Sequence, residues 1–110
     1  MAQTFTEGNY SVSVNNGLVE IIGSVDSISY LKLTSFLTSN VDKADFNNVN
    51  LDFRKTVFIN SLGIKVFARF IYFSQKSLVL IIDSSIEWQN IAIAPLASIR
   101  SDGQATLKVY

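Results

Sequence analysis

The residue types best suited to chemistry are missing from this chain. Its 110 residues include no histidine and no cysteine. That excludes the usual general base, the serine–histidine dyad, thiolate nucleophiles, cysteine-bound metal centres and disulfides. Asp26, Asp52, Asp83 and Glu87 follow no metal-ligand spacing, and each has a structural role at hand in a cap, a strand end or a turn. Gly63 stands alone and makes no phosphate-cradling loop. The hydroxyl best placed for chemistry is Ser61, where the extended run Thr56–Ile59 passes through Asn60 into a helical pattern. The helix N-terminus behind it offers free backbone N–H groups and a partial positive charge, which suit an anionic group. Asn60 and Ser61 are also preferred N-caps, so a purely structural role stands beside any chemical one. Binding or regulation without a cofactor is the expectation, rather than catalysis.

The elements that position this serine can be read from periodicity. A chain of this length is expected to form one domain, 1–110. Its 48% hydrophobic and 16% charged residues exclude disorder and a coiled coil. Nine basic and nine acidic residues balance without any block of like charge, which argues against nucleic acid or an anionic membrane as partner. Residues 1–9 are polar and carry no targeting signal. The longest apolar run, Leu78–Ile82, is far below the roughly 18 residues of a membrane span. A soluble, cytoplasmic protein is expected.

Asn15-Asn16-Gly17 predicts a tight hairpin between strands at about 10–15 and 18–23. Asp26 or Ser27 would then cap a helix over about 27–39, with residues 39–48 as a connection. Strands are expected at 49–53 and 78–82, an extended segment at 56–59, and a helix over 61–74. Ser84 and Glu87 fit the capping-box spacing for a third helix, whose apolar side would carry Trp88 as a core anchor with Ile91 and Ala92, and which Pro95 would end. Asp102-Gly103 turns the chain into a last strand at 106–110. A hairpin followed by alternating helices and strands means an α/β fold, with a mixed, mostly parallel sheet and helices packed on it.

On the helix from Ser61, about 100° per residue places Ser61, Lys65, Arg69, Tyr72 and Lys76 in one lane. Gly63, Val66, Phe67, Phe70 and Ser74 lie opposite, and the flanks remain apolar. The basic lane is either solvated surface or a contact face leading away from Ser61.

Three segments together resemble the STAS domain, the fold of bacterial anti-sigma factor antagonists. They are Gly23-Ser24-Val25-Asp26, Leu51-Asp52, and Phe58-Ile59-Asn60-Ser61-Leu62-Gly63 at the family's spacing. The similarity runs over about residues 10–98. The chain departs from the family pattern in Asn60, where aspartate is usual, and in Leu62, where a small residue is usual. The resemblance implies phosphorylation of Ser61 by a kinase that is also the anti-sigma factor, of histidine-kinase ATPase fold, and reversal by a serine phosphatase. It also implies a partner surface at Asp26 and at the motif positions Asn60, Leu62 and Gly63; Arg54, in the loop beside Ser61, and Lys65 and Arg69, in the basic lane, are expected to extend it on the strength of their own placement. A non-switching STAS adaptor, in a transporter-associated or other signalling assembly, is the alternative. The family's usual final helix is not seen before Tyr110, which leaves room for self-association. If the strands are parallel, Asp26, Arg54, Ser61, Leu62 and Lys65 should share one exposed end of the molecule.

Overall fold

The computed structural model describes residues 2–110. Its strands are β1 (Gln3–Glu7), β2 (Tyr10–Asn15), β3 (Leu18–Val25), β4 (Asn48–Asp52), β5 (Thr56–Ile59), β6 (Ser77–Ile82) and β7 (Ala105–Val109). The helices are α1 (Tyr30–Leu37), α2 (Ser61–Phe73) and α3 (Glu87–Ala92), with a 3-10 segment at Ala94–Ser98. The sheet order is β1-β2-β3-β4-β6-β7, and β5 pairs with β3. β2 and β3 are antiparallel, joined at Asn16 and Gly17, whose φ angles of 48° and 89° suit the tight turn. β3, β4, β6 and β7 run parallel. The expected α/β architecture is therefore present, with one strand more than the sequence reading gave. The polar segment at 3–7 forms β1, paired antiparallel with β2, so the hairpin is a three-stranded meander.

The connections from β3 to β4, β5 to β6 and β6 to β7 all advance in the same direction across the sheet. Right-handed crossovers then place every helix on one face. Burial follows this division. Val12, Ile21, Val19, Leu51 and Leu80 line up in register on the covered face and are fully buried. They join Leu33 and Leu37 of α1, Val66, Phe67 and Ile71 of α2, and Ile93 in one core. The same register sets Thr4, Ser13, Glu20, Asp52, Ile81 and Lys108 in a row on the opposite face.

Several helix boundaries differ from the periodicity. Neither Asp26 nor Ser27 caps α1; Ser29 holds the N-cap position without a side-chain cap. Its N–H donates instead to the Glu7 carboxylate at 3.0 Å, which also accepts from the Tyr10 hydroxyl at 2.8 Å. Burial, then the bond to Glu7, pushes the Tyr10 hydroxyl above its ordinary pKa. The helical path continues past Leu37 as π-helix over Thr38–Asp42, part of the expected connection. The capping box at Ser84 and Glu87 does not form. Ile86 holds the N-cap position, and Ser85 turns toward Asp83, donating to it through N–H at 2.9 Å and hydroxyl at 2.7 Å. On α3, Ile91 is exposed, Trp88 only half-buried, and Gln89 is the fully buried residue.

Candidate functional site

β3 is long enough to pair twice: Leu18–Glu20 with β4, then Gly23–Val25 with β5. The chain leaves the sheet after β4, turns through Arg54-Lys55, and returns beside the second half of β3. Gln89 fixes this detour. Its side-chain amide donates to the Phe53 carbonyl at 2.7 Å and the Thr56 carbonyl at 3.2 Å, while its oxygen accepts from the Asp83 N–H at 2.9 Å. The Thr56 hydroxyl adds a bond to the Ile21 carbonyl at 2.7 Å. β5 thereby projects past the end of β4. The β3–β5 register shifts between the Gly23–Thr56 and Ser24–Phe58 pairs, which leaves Val57 as the extra residue of a bulge; Val57 is 68% exposed and Phe58 50%.

β5 delivers the chain to α2 at Asn60, and the Asn60 N–H donates to the Val25 carbonyl at 2.9 Å. The Asn60 side chain caps α2 by accepting from the Gly63 N–H at 2.9 Å, and its amide donates to the Asp26 carbonyl at 3.2 Å. Ser61 is therefore the first helical residue rather than the cap. It is exposed, and the first turn contains no acidic side chain. The N–H groups of this turn carry the positive end of the helix dipole. Gly63 is buried because the helix meets the sheet closely here. A Cβ on it would lie 2.7 Å from Ile59 Cγ1 and 3.1 Å from Val25 Cγ1.

Asp26, Asn60, Ser61, Leu62 and Gly63 thus gather where β3 and β5 end and α2 begins, with Leu62 partly exposed and Lys65 and Arg69 exposed along the helix. Arg54 does not join them. It precedes β5, roughly 13 Å of strand away from Ser61. There its guanidinium binds both Asp52 oxygens at 3.0 and 2.8 Å and lies 4.4 Å from the centre of the Tyr110 ring. Lys55 likewise pairs with Glu20 at 3.3 Å. Burial pushes the Asp52 carboxyl up, but the Arg54 side-chain and backbone bonds outweigh it and hold the pKa below the usual range.

The basic lane is correct for Lys65 and Arg69 and ends with Tyr72. Lys76 lies beyond α2, buried, with its ammonium donating to the Ala44 and Phe46 carbonyls at 2.7 Å each. The Arg69 guanidinium lies 5.3 Å from the exposed Phe73 ring, which meets Tyr72 edge-to-face at 4.9 Å. Between α1 and α2 runs an open groove of about 150 Å³, lined by Tyr30, Thr34, Asp42, Arg69 and Phe73 among others. Exposed Val57 and Phe58 are not among the site residues expected from the sequence, because the alternation of a short apolar strand reveals neither the register shift at Val57 nor how far the strand projects. Among the described residues, no group of three or more acidic residues could hold a metal ion, and no helix is long and apolar enough to cross a membrane. The chain matches no family model, and searches of the curated proteins and of the solved structures return no match.

Proposed function

We propose that this chain is a cytoplasmic partner-switching regulator of the STAS type, resembling the anti-sigma factor antagonists. It binds a kinase that doubles as an anti-sigma factor, and phosphorylation of Ser61 releases it. In that step the Ser61 hydroxyl attacks the γ-phosphorus of the partner's ATP. The Oγ–P bond forms as the bond to ADP breaks, and the hydroxyl proton passes to a base on the partner. A serine phosphatase reverses the modification.

The observation that carries this reading is the division of labour at the start of α2. Asn60 makes the cap, so capping does not consume the exposed Ser61 hydroxyl. Val57, Phe58 and Leu62 supply exposed apolar surface nearby, and Lys65 and Arg69 continue it along the helix. Apolar anchors with arginine beside them suit a protein interface. Phosphate brings roughly −1.5 to −2 charges to a surface that was neutral at that point.

The same observation defines the competing reading. Leu62 and Phe58 could hold a partner permanently, with Ser61 a bystander, as in a non-switching adaptor. Affinity capture of the native chain from its own cells, with mass spectrometry of Ser61, distinguishes the two. The switch requires phosphoserine in the unbound pool and its absence from the bound pool. Equal binding of Ser61→Ala and Ser61→Asp, with no phosphate found in either pool, establishes the adaptor instead.

A further inference from the structure

We propose that the free edge of β7 pairs with β7 of a second copy of this chain, in an antiparallel two-fold ladder centred on Leu107. The inference is independent of the role of Ser61. β7 ends the sheet, and among the described residues no strand lies outside it. Its backbone directions are fixed by the bonds to β6. The Tyr110 N–H donates to the Ile82 carbonyl at 3.0 Å, the Tyr110 carbonyl accepts from Ser84 at 2.7 Å, and the Gln104 carbonyl accepts from Leu78 at 2.7 Å. Alternate residues of a strand direct both backbone groups to the same side. Residues 104, 106, 108 and 110 therefore face β6, and Ala105, Leu107 and Val109 turn their N–H and C=O groups outward.

A two-fold axis at Leu107 uses this set of outward groups. Leu107 opposes the partner's Leu107, and Ala105 opposes the partner's Val109, each as a hydrogen-bonded antiparallel pair. The side chains match in the same register. Leu107 and Val109 are 37% and 50% exposed on the helix-covered side, and each gains an apolar neighbour across the axis. On the other side Lys108 opposes the partner's Thr106, so the two lysines do not face one another; the Lys108 ammonium lies along its own strand, 5.0 Å from the Tyr110 ring. A shift of two residues toward the N-terminus would put Leu107 opposite the partner's Gly103 and lose the apolar match. Of the other edges, β5 pairs only with β3 and already has the Gln89 amide on its Thr56 carbonyl at 3.2 Å, and the β1 edge offers no comparable row. β1 is polar apart from Phe5, and that ring already packs 5.4 Å from Phe36. The resulting sheet is continuous through both copies and keeps all helices on one side.

Sedimentation and light scattering from micromolar to near-millimolar concentration test this directly. The native chain should pass from monomer to dimer, and Leu107→Lys and Val109→Lys should each remain monomeric with circular dichroism unchanged. Because the chain has no cysteine, Leu107→Cys gives a clean second reading. Hydrogen-bonded antiparallel pairs place Cα atoms about 5.5 Å apart, within disulfide reach. Mild oxidation should cross-link Leu107→Cys into dimers and leave Leu31→Cys, exposed on α1, largely monomeric. A native chain that is monomeric throughout overturns the proposal. So does dimerisation that survives folded Leu107→Lys and Val109→Lys, or cross-linking of Leu31→Cys at an equal rate.

Discussion

The side-chain amide of Asn60 donates to the backbone carbonyl of Asp26 at 3.2 Å, joining the turn after β3 to the cap of α2. Its oxygen is already engaged with the Gly63 N–H, so one small side chain works in both directions. An aspartate could make the cap but not the donation. This gives Asn60 a structural reason of its own. Asn60→Ala should destabilise the domain by about 1–2 kcal/mol, the usual cost of a lost cap. Asn60→Asp should recover only part of that: the added charge suits the helix N-terminus, but it faces the Asp26 carbonyl without a proton to offer. Urea unfolding of the three chains checks the order, with asparagine highest and alanine lowest.

Because Asn60 is the cap, Ser61→Ala should cost less than about 0.5 kcal/mol, within the range of ordinary surface changes. Ser61→Asp should stabilise the chain by about 0.3–1 kcal/mol through the unoccupied positive end of α2. For a switch, partner affinity moves the other way: alanine binds as well as serine, and aspartate binds worse. Thermal melts and calorimetric titration read the two signs separately. A destabilised Ser61→Asp would contradict the electrostatics described for the first turn.

The Asp52–Arg54 pair predicts a pH dependence of stability. The folded-state pKa of Asp52 lies below its unfolded value of about 3.9. A group depressed on folding contributes stability above the unfolded pKa and loses it as pH falls through the folded value. Native chain and Asp52→Asn should therefore differ by a constant amount through neutral pH, with the native chain more stable. The gap should close below about pH 4, as the carboxylate takes up its proton. A gap that persists unchanged to low pH would mean that the lost interaction is not the ion pair. Denaturant titrations of both chains at stepped pH give the curve.

What the sequence revealed follows from the range of each signal. Strand alternation and the Asn16-Gly17 turn are local, so β2, β3, β4 and β6 could be read directly. The exposed start of α2 was equally plain from the change of period at Ser61. β1 was hidden because Gln3–Glu7 is polar apart from Phe5 and gains its place only by pairing along its length with β2, from Gln3–Val14 to Glu7–Tyr10. The α1 cap was misassigned because its N–H partner is Glu7, 22 positions away. Arg54 looked close to Ser61 along the chain, but Asp52 draws its guanidinium away to the sheet's helix-free side. The buried glutamine of α3 gave no signal at all, since no sequence pattern distinguishes it from the exposed Asn90 beside it.

Gln89 should be the most sensitive polar position in the fold. It is fully buried and bonds the backbone of three segments: Phe53, Thr56 and Asp83. Gln89→Leu preserves approximate volume but leaves two carbonyls and one N–H without that partner. At about 1–3 kcal/mol for a buried unsatisfied group, with relaxation recovering part of the sum, a loss of about 3 kcal/mol is expected. Gln89→Glu gives a sharper test because it retains the acceptor for Asp83 and loses the donor toward Phe53 and Thr56. Its carboxylate would face two carbonyl oxygens in a dry site, so the folded state should favour the protonated form and raise its pKa above the unfolded value of about 4.3. The penalty is then fully present above the raised pKa and is relieved as pH falls toward the unfolded one. Gln89→Glu should approach the native chain in acid, whereas Gln89→Leu should remain destabilised by a similar amount across the range. If both variants melt near the native temperature at neutral pH, the β4–β5 detour is held by other contacts, and Gln89 is not its anchor.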